Sequence, residues 1–147
     1  MVFEEWRDIP GFVGLYKVSN LGRIKSVPRN VKKNNTTKEH FIKPYFSGTN
    51  YAKIDLRKNN RTTKHYVHRL VAVAFLGNPT TEKNQIDHID GNKLNNAVEN
   101  LEWVSRKTNM QRAWKNGLCE SCREASKRNV RIMNAKRRIK NESLFAV

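Results

Sequence analysis

With 147 residues the chain has room for one ordinary domain, or for a small domain with extended attachments, and 37% hydrophobic beside 29% charged residues excludes a single compact core over the whole length. A formal net charge of +16, from 29 Lys and Arg against 13 Asp and Glu, points to a polyanionic partner, which for a protein of this size is nucleic acid. Two cysteines exclude a secreted disulfide framework, and an acidic start without an apolar run, together with the lack of any stretch near the roughly 18 apolar residues of a membrane span, gives the expectation of a cytoplasmic protein with no membrane partner.

In chain order, residues 6–27 read as a short β-hairpin. Pro10-Gly11 marks a turn, Leu15 to Val18 has strand composition, Ser19-Asn20-Leu21-Gly22 is a four-residue turn, and Arg23 to Val27 alternates basic with apolar residues. Side chains alternate across a strand, so Arg23 and Lys25 share one face and Ile24 packs on the other. Pro28 to Pro44 is polar and basic, with Lys32 and Lys33 near its centre, and reads as a loop. A second hairpin follows: Ala52, Ile54 and Leu56 alternate with Lys53, Asp55 and Arg57, and beyond Lys58-Asn59-Asn60-Arg61 a strand runs from about Thr62 to Val67.

Between Arg23 and Lys64 stand twelve Lys or Arg and two acids. Such a run can be an ordinary solvated face. Nucleic-acid contact is the stronger reading, because the charge lies on strands and β-ribbons fit the major groove. The expected DNA contacts are Arg23, Lys25, Lys32, Lys33, Lys53, Arg57 and Arg61, joined by Arg69 on the next element.

Val67, Leu70, Val71, Ala74 and Phe75 fall at the spacing of one apolar helical stripe, which Gly77-Asn78-Pro79 stops. His68 and Arg69 lie on the other side of this helix. Either His68 touches phosphate or braces the neighbouring site, or it is a structural histidine. The helix leads into the stretch around which the chain is organised. Residues 84–109 carry Asp87, Asp90, Glu99 and Glu102 against Lys93, Arg106 and Lys107. An acid-leaning pocket in a basic protein suits a hard divalent cation held against an anionic substrate.

Gln85 to His88 suits a short strand that delivers Asp87 and His88 on opposite faces. Gly91, Asn92, Asn95 and Asn96 tolerate a tight loop. Leu101, Trp103 and Val104 read as a returning strand with Trp103 inward, and Ser105 as the N-cap of a helix from Arg106 to about Lys115 that ends at Gly117. Beyond it, eight Lys or Arg lie between Arg123 and Lys140 against the single acid Glu124. This segment is either a helix that orders on DNA or an extended tail.

Three blocks resemble the HNH nucleases, and more narrowly the phage and intron-encoded HNH homing endonucleases. Trp6 through Ser26 is similar to the modular DNA-binding motif that precedes the nuclease in that group. Val67-His68-Arg69-Leu70-Val71-Ala72 with Phe75 and Asn78-Pro79 is similar to its linking helix, and Asp87-His88-Ile89-Asp90-Gly91-Asn92 through Asn95-Asn96, Asn100-Leu101, Trp103 and Asn109 to its catalytic motif. The resemblance implies an α+β chain: extended N-terminal β-hairpins, a short linking helix, a ββα-metal (His-Me finger) core and a basic helical C-terminal segment. It divides the chain into a DNA-binding region over residues 1–64, a nuclease domain over 65–117 and a tail over 118–147.

The same resemblance implies His88 as general base, Asn100 as a catalytic-loop brace, and Asp87 and Asn109 as metal ligands. The family's name expects histidine where this chain has Asn109, a weaker and neutral ligand. A metal-dependent double-stranded DNA endonuclease is thus expected, with Mg²⁺ or Mn²⁺ as cofactor, acting as a monomer or weak dimer and leaving 5′-phosphate and 3′-hydroxyl ends. The residue types agree independently: imidazole with a pKa near 6.5 can take a proton from water at neutral pH. The competing reading is a catalytically inert DNA-binding protein. A structural zinc site of Cys119 and Cys122 with His65 and His68 has acceptable ligands but rests on a weak signal.

Overall fold

The computed structural model describes residues 3–32, 35–46 and 50–115. The basic tail, the cysteine pair and Lys33 lie outside the described residues. By contacts the chain divides into two units, Met1–Arg106 and Lys107–Val147. Strands and helices occur together, giving the α+β class.

In the first unit, β1 (Trp6–Asp8), β2 (Tyr16–Ser19), β3 (Ile24–Ser26) and β6 (His40–Phe41) form an antiparallel sheet in the order β1-β2-β3-β6. Val18 and Ile24, paired across β2 and β3, are buried. Neither β1 nor β6 was expected. Residues 28–44 are not a plain loop: β4 (Asn30–Lys32) and β5 (Asn35–Thr36) form a two-stranded ribbon before the chain returns to pair β6 with β3. Polarity conceals these strands because their stabilising bonds are backbone ones to a neighbouring strand, independent of an apolar face.

β7 (Lys53–Lys58) and β8 (Arg61–Tyr66) make the second hairpin, paired in register from Lys53↔Tyr66 to Lys58↔Arg61. Asn59 and Asn60 both adopt positive φ, 51° and 58°, the backbone of a two-residue turn whose twist matches paired strands. Ile54 and Leu56 enter the core while Asp55 and Arg57 face out. Directly after β8 comes α1 (Val67–Phe75), whose first N–H, on Val67, is satisfied by the Ala52 carbonyl at 3.0 Å. Gly77, at φ +85°, follows its end. The helix buries Val67, Leu70, Val71 and Ala72, but also His68, which corrects the expectation that His68 lies on the outer side with Arg69. Only Arg69 of that pair is exposed.

β9 (Gln85–His88) and β10 (Leu101–Val104) pair antiparallel, with His88 opposite Leu101 and Asp87 opposite Glu102; a short 3-10 turn, Val98–Asn100, leads into β10. Leu101 and Val104 are the buried residues of β10. Trp103, expected inward, is half-buried, because its indole N–H donates to the Gly77 carbonyl at 3.0 Å. The second helix, α2 (Arg106–Lys115), lies beyond its first residue in the second unit. One continuous cluster joins Val18 and Ile24 of the first sheet, Ile54 and Leu56 of the second hairpin, Val71 of α1 and Leu101 of β10. The hairpins and the β9–β10 unit therefore share a core.

Leu56 is fully buried in this cluster, so Leu56→Ala is expected to cost about 2–5 kcal/mol in chemical denaturation. Val13→Ser, at a position 72% exposed, should stay within about 0.5 kcal/mol.

Candidate active site on the β9–β10 loop

The loop from His88 to Asn100 is closed by its own side chains. Asn100, buried at the end of the 3-10 turn that leads into β10, accepts the Asp90 backbone N–H on Oδ1 at 3.0 Å, and its Nδ2 donates to Asp90 Oδ1 and to the Asn95 carbonyl, each at 2.9 Å. The Asp90 carboxylate also accepts the Asn92 N–H at 2.7 Å and Asn95 Nδ2 at 2.8 Å. These donors hold the Asp90 carboxyl below the ordinary carboxylate range, with the Asn95 amide foremost. Asp90 is thus the anchor of the loop, one of the four acids that make this stretch acid-leaning. Backbone bonds complete the closure: Ile89 N–H to Asn100 O at 2.9 Å and Gly91 N–H to His88 O at 2.8 Å.

His88 is 6% exposed. Its Nε2 lies 3.4 Å from Asn96 Oδ1. The Asn96 amide is oriented by its other end, since Nδ2 donates to the Leu94 carbonyl at 3.0 Å. An oxygen therefore faces the ring, and this contact favours the tautomer with its proton on Nε2 and its lone pair on Nδ1. Burial pushes the His88 pKa down; the Asn96 bond and the charges of Asp90 and Asp87 oppose this, and Lys93 adds to it. The net shift favours the uncharged imidazole, the state in which it can accept a proton.

An aromatic cluster walls this ring. His68 approaches edge-on, with ring centres 5.4 Å apart and planes at 75°, and Tyr51 lies 6.0 Å from His88 and 5.0 Å from His68. Tyr66 stacks on His68 at 5.4 Å. Two ammonium groups cover the tyrosines: Lys93 stands 4.9 Å from the Tyr51 ring centre and Lys53 5.4 Å from that of Tyr66. Burial, followed by the proximity of His88 and Arg69, pushes the His68 pKa down to about 4.

His88 ends β9 opposite Leu101, and Asn100 directly precedes that residue; Asp87 is half-buried on β9, next in sequence to His88 and on the opposite face of the strand. Asn109 stands half-buried on α2, in the second unit. Among the expected DNA contacts, Arg57, Arg61 and Arg69 are exposed and Lys53 is half-buried. Lys32 sits on β4. Arg23 is ion-paired to Glu4, and Lys25 to Glu39 at 3.2 Å with its ammonium 4.4 Å from the Trp6 ring centre. His65 bonds Thr63 Oγ1 at 2.7 Å and stands edge-on to Phe12. Asn96 and Tyr51 were not singled out from sequence as touching His88. Asn96 was visible as one asparagine among several in a loop, and only its burial sets it apart.

Comparison with known proteins places these features. Residues 65–111 match the HNH endonuclease family model, and residues 4–57 match the NUMOD4 motif. The DNA endonuclease I-HmuI of Bacillus phage SP01 is 38% identical over 113 residues, 77% of this chain and 59% of that protein. An uncharacterised HNH endonuclease of Acanthamoeba polyphaga mimivirus is 40% identical over 78% of this chain and 31% of its own length. The chain thus spans about three fifths of the phage relative and less than a third of the mimiviral one. A solved structure described as DNA binding and cleavage by the HNH homing endonuclease I-HmuI superposes with a TM-score of 0.67 at 33% identity, covering 84% of this chain and 66% of that one.

A pH dependence of stability follows from His68. Its pKa is about 4 when folded and about 6.5 when unfolded, so between these values the unfolded chain binds the additional proton. Stability is present above pH 6.5 and is lost as pH falls towards 4, by on the order of 3 kcal/mol. Urea denaturation across this window should show the loss in the native chain and a flatter profile in His68→Phe; equal profiles would show that His68 titrates normally.

Proposed function

The chain carries a domain of the HNH endonuclease family behind a NUMOD4 motif, and on that premise we propose that it hydrolyses phosphodiester bonds in double-stranded DNA, with His88 as general base. The observation that carries this reading is the setting of the His88 ring: buried, with its pKa pushed down by that burial and its Nε2 3.4 Å from Asn96 Oδ1, an arrangement that suits Nδ1 to take a proton from the attacking water. Asn100 supports the chemistry indirectly, by closing the loop that leads out of His88.

A divalent metal fits the available donors. Asp87 offers a carboxylate and Asn109 an amide oxygen, both hard ligands suited to Mg²⁺ or Mn²⁺. When bound, such an ion neutralises charge that builds on the scissile phosphate and the leaving 3′ oxygen. In-line attack then leaves 5′-phosphate and 3′-hydroxyl ends.

The DNA strand is held by the basic hairpin and helix: Lys53, Arg57, Arg61 and Arg69, with Lys32 on β4 and Lys33 next to it in sequence. Arg23 and Lys25 contribute once phosphate competes with Glu4 and Glu39, an exchange made easy by the small value of exposed ion pairs. No helix among the described residues is long and apolar enough to cross a membrane. The proposed state of the protein is a monomer or weak dimer, and its proposed place the cytoplasm.

The test is nicking of a supercoiled plasmid with Mg²⁺ or Mn²⁺. The native chain should produce nicked or linear product that chelation with EDTA stops. His88→Ala should lose on the order of 10²-fold or more in rate while retaining DNA binding in a mobility-shift assay, and Asp87→Ala should abolish cleavage. A native chain that binds DNA but never cuts would support instead an inert DNA-binding protein; cleavage that persists in chelator would remove the metal from the mechanism.

A further inference from the structure

We infer that the turn of the N-terminal hairpin, Asn20 to Gly22, is part of the scaffold that orients His88, with Gly22 a positioning residue acting through Asn96. The inference rests on the nuclease reading above and adds to it a role for the NUMOD4 region beyond holding DNA. Two contacts join the turn to the loop. The Asn20 carbonyl accepts the Val98 N–H at 2.8 Å. Gly22 packs so closely on Asn96 that a Cβ added to it would stand 2.9 Å from Asn96 Cβ, 3.1 Å from its carbonyl oxygen and 3.3 Å from its carbonyl carbon. Gly22 also has φ +82°, which side chains other than hydrogen disfavour.

The turn is itself fixed. Asn20 Oδ1 accepts the Glu5 N–H at 2.9 Å, its Nδ2 donates to the Phe3 carbonyl at 3.0 Å, and its backbone N–H donates to the Glu5 carbonyl at 3.0 Å. Asn96 is thus held between this turn and His88. Its bond to Nε2 is already near the outer limit of a hydrogen bond at 3.4 Å, so a displacement of a few tenths of an ångström at Asn96 releases the ring. The hairpin that docks on DNA and the loop that carries the base are therefore one mechanical unit rather than two modules on a string.

The experiment compares Gly22→Ala with Gly11→Ala. Gly11 has the same backbone sign, φ +83°, with nothing within 4 Å of an added Cβ, so both substitutions strain the backbone and only the first crowds Asn96. Gly22→Ala should lower kcat for plasmid nicking on the order of 10-fold with KM for DNA changed by less than about twofold. Nitrogen NMR of the His88 ring should show the Nε2-protonated form in the native chain and a tautomer mixture in Gly22→Ala. Gly11→Ala should reduce the melting temperature while keeping the native kcat and tautomer.

Equal kcat and an unchanged tautomer in the two variants would overturn the inference. Should Gly22→Ala fail to fold, Asn96→Ala carries the test: it leaves a Cβ against the turn and removes the amide, and native kcat with a native tautomer would overturn the Asn96 link. A native chain that does not nick would strike the nuclease reading itself, and the NMR comparison would still decide whether the turn sets the His88 ring.

Discussion

The amide of Asn100 is the interaction on which the site depends. It reaches from the turn just before β10 back across the loop, satisfying the Asp90 N–H, the Asp90 carboxylate and the Asn95 carbonyl together. An unpaired buried amide costs about 1–3 kcal/mol per group left unsatisfied, so the loop has one low-energy closure. That closure sets the register of β9 against β10, and with it which face of the ladder carries His88 and which carries Asp87. A slip of one residue would exchange the two faces.

The electrostatics of the site follow from burial more than from charge. Both His68 and His88 are pushed towards the neutral form because their rings are withdrawn from water beside aromatic neighbours. In a chain of net charge +16, neutral imidazoles are what the proposed general-base role of His88 requires. The acids divide their work accordingly. Asp90 is consumed by loop closure, Glu4 and Glu39 engage Arg23 and Lys25, and Asp87 is the carboxylate that stands beside the histidine in sequence.

Where sequence pattern and local structure coincide, the chain was legible. The alternation through Ile54 and Leu56, the Asn59-Asn60 turn, the stripe from Val67 to Phe75 and the strands at Gln85–His88 and Leu101–Val104 all carry their cause within a few residues. What stayed hidden is long-range. β1 and β6 exist because β2 and β3 offer free edges, a fact no property of Trp6–Asp8 or His40–Phe41 announces. His68 looked like an outward residue from its helical position, yet Tyr51 comes from elsewhere to cover it beside Tyr66 at the head of its own helix. The link from Gly22 to Asn96 spans 74 positions in the numbering and leaves no local trace beyond a glycine in a turn. Sequence divides the hairpins from the nuclease motif; the shared core from Val18 to Leu101 joins them.

The central claim is that an uncharged His88, presented by this loop, takes the proton from water. Chemical rescue addresses it directly: His88→Gly removes the imidazole, and free imidazole added to the medium can take its place. Cleavage by the variant should be nearly absent, and should return as imidazole is added, in proportion to the unprotonated fraction of the added base. A His88→Gly protein that cuts DNA at the native rate without imidazole would contradict the account.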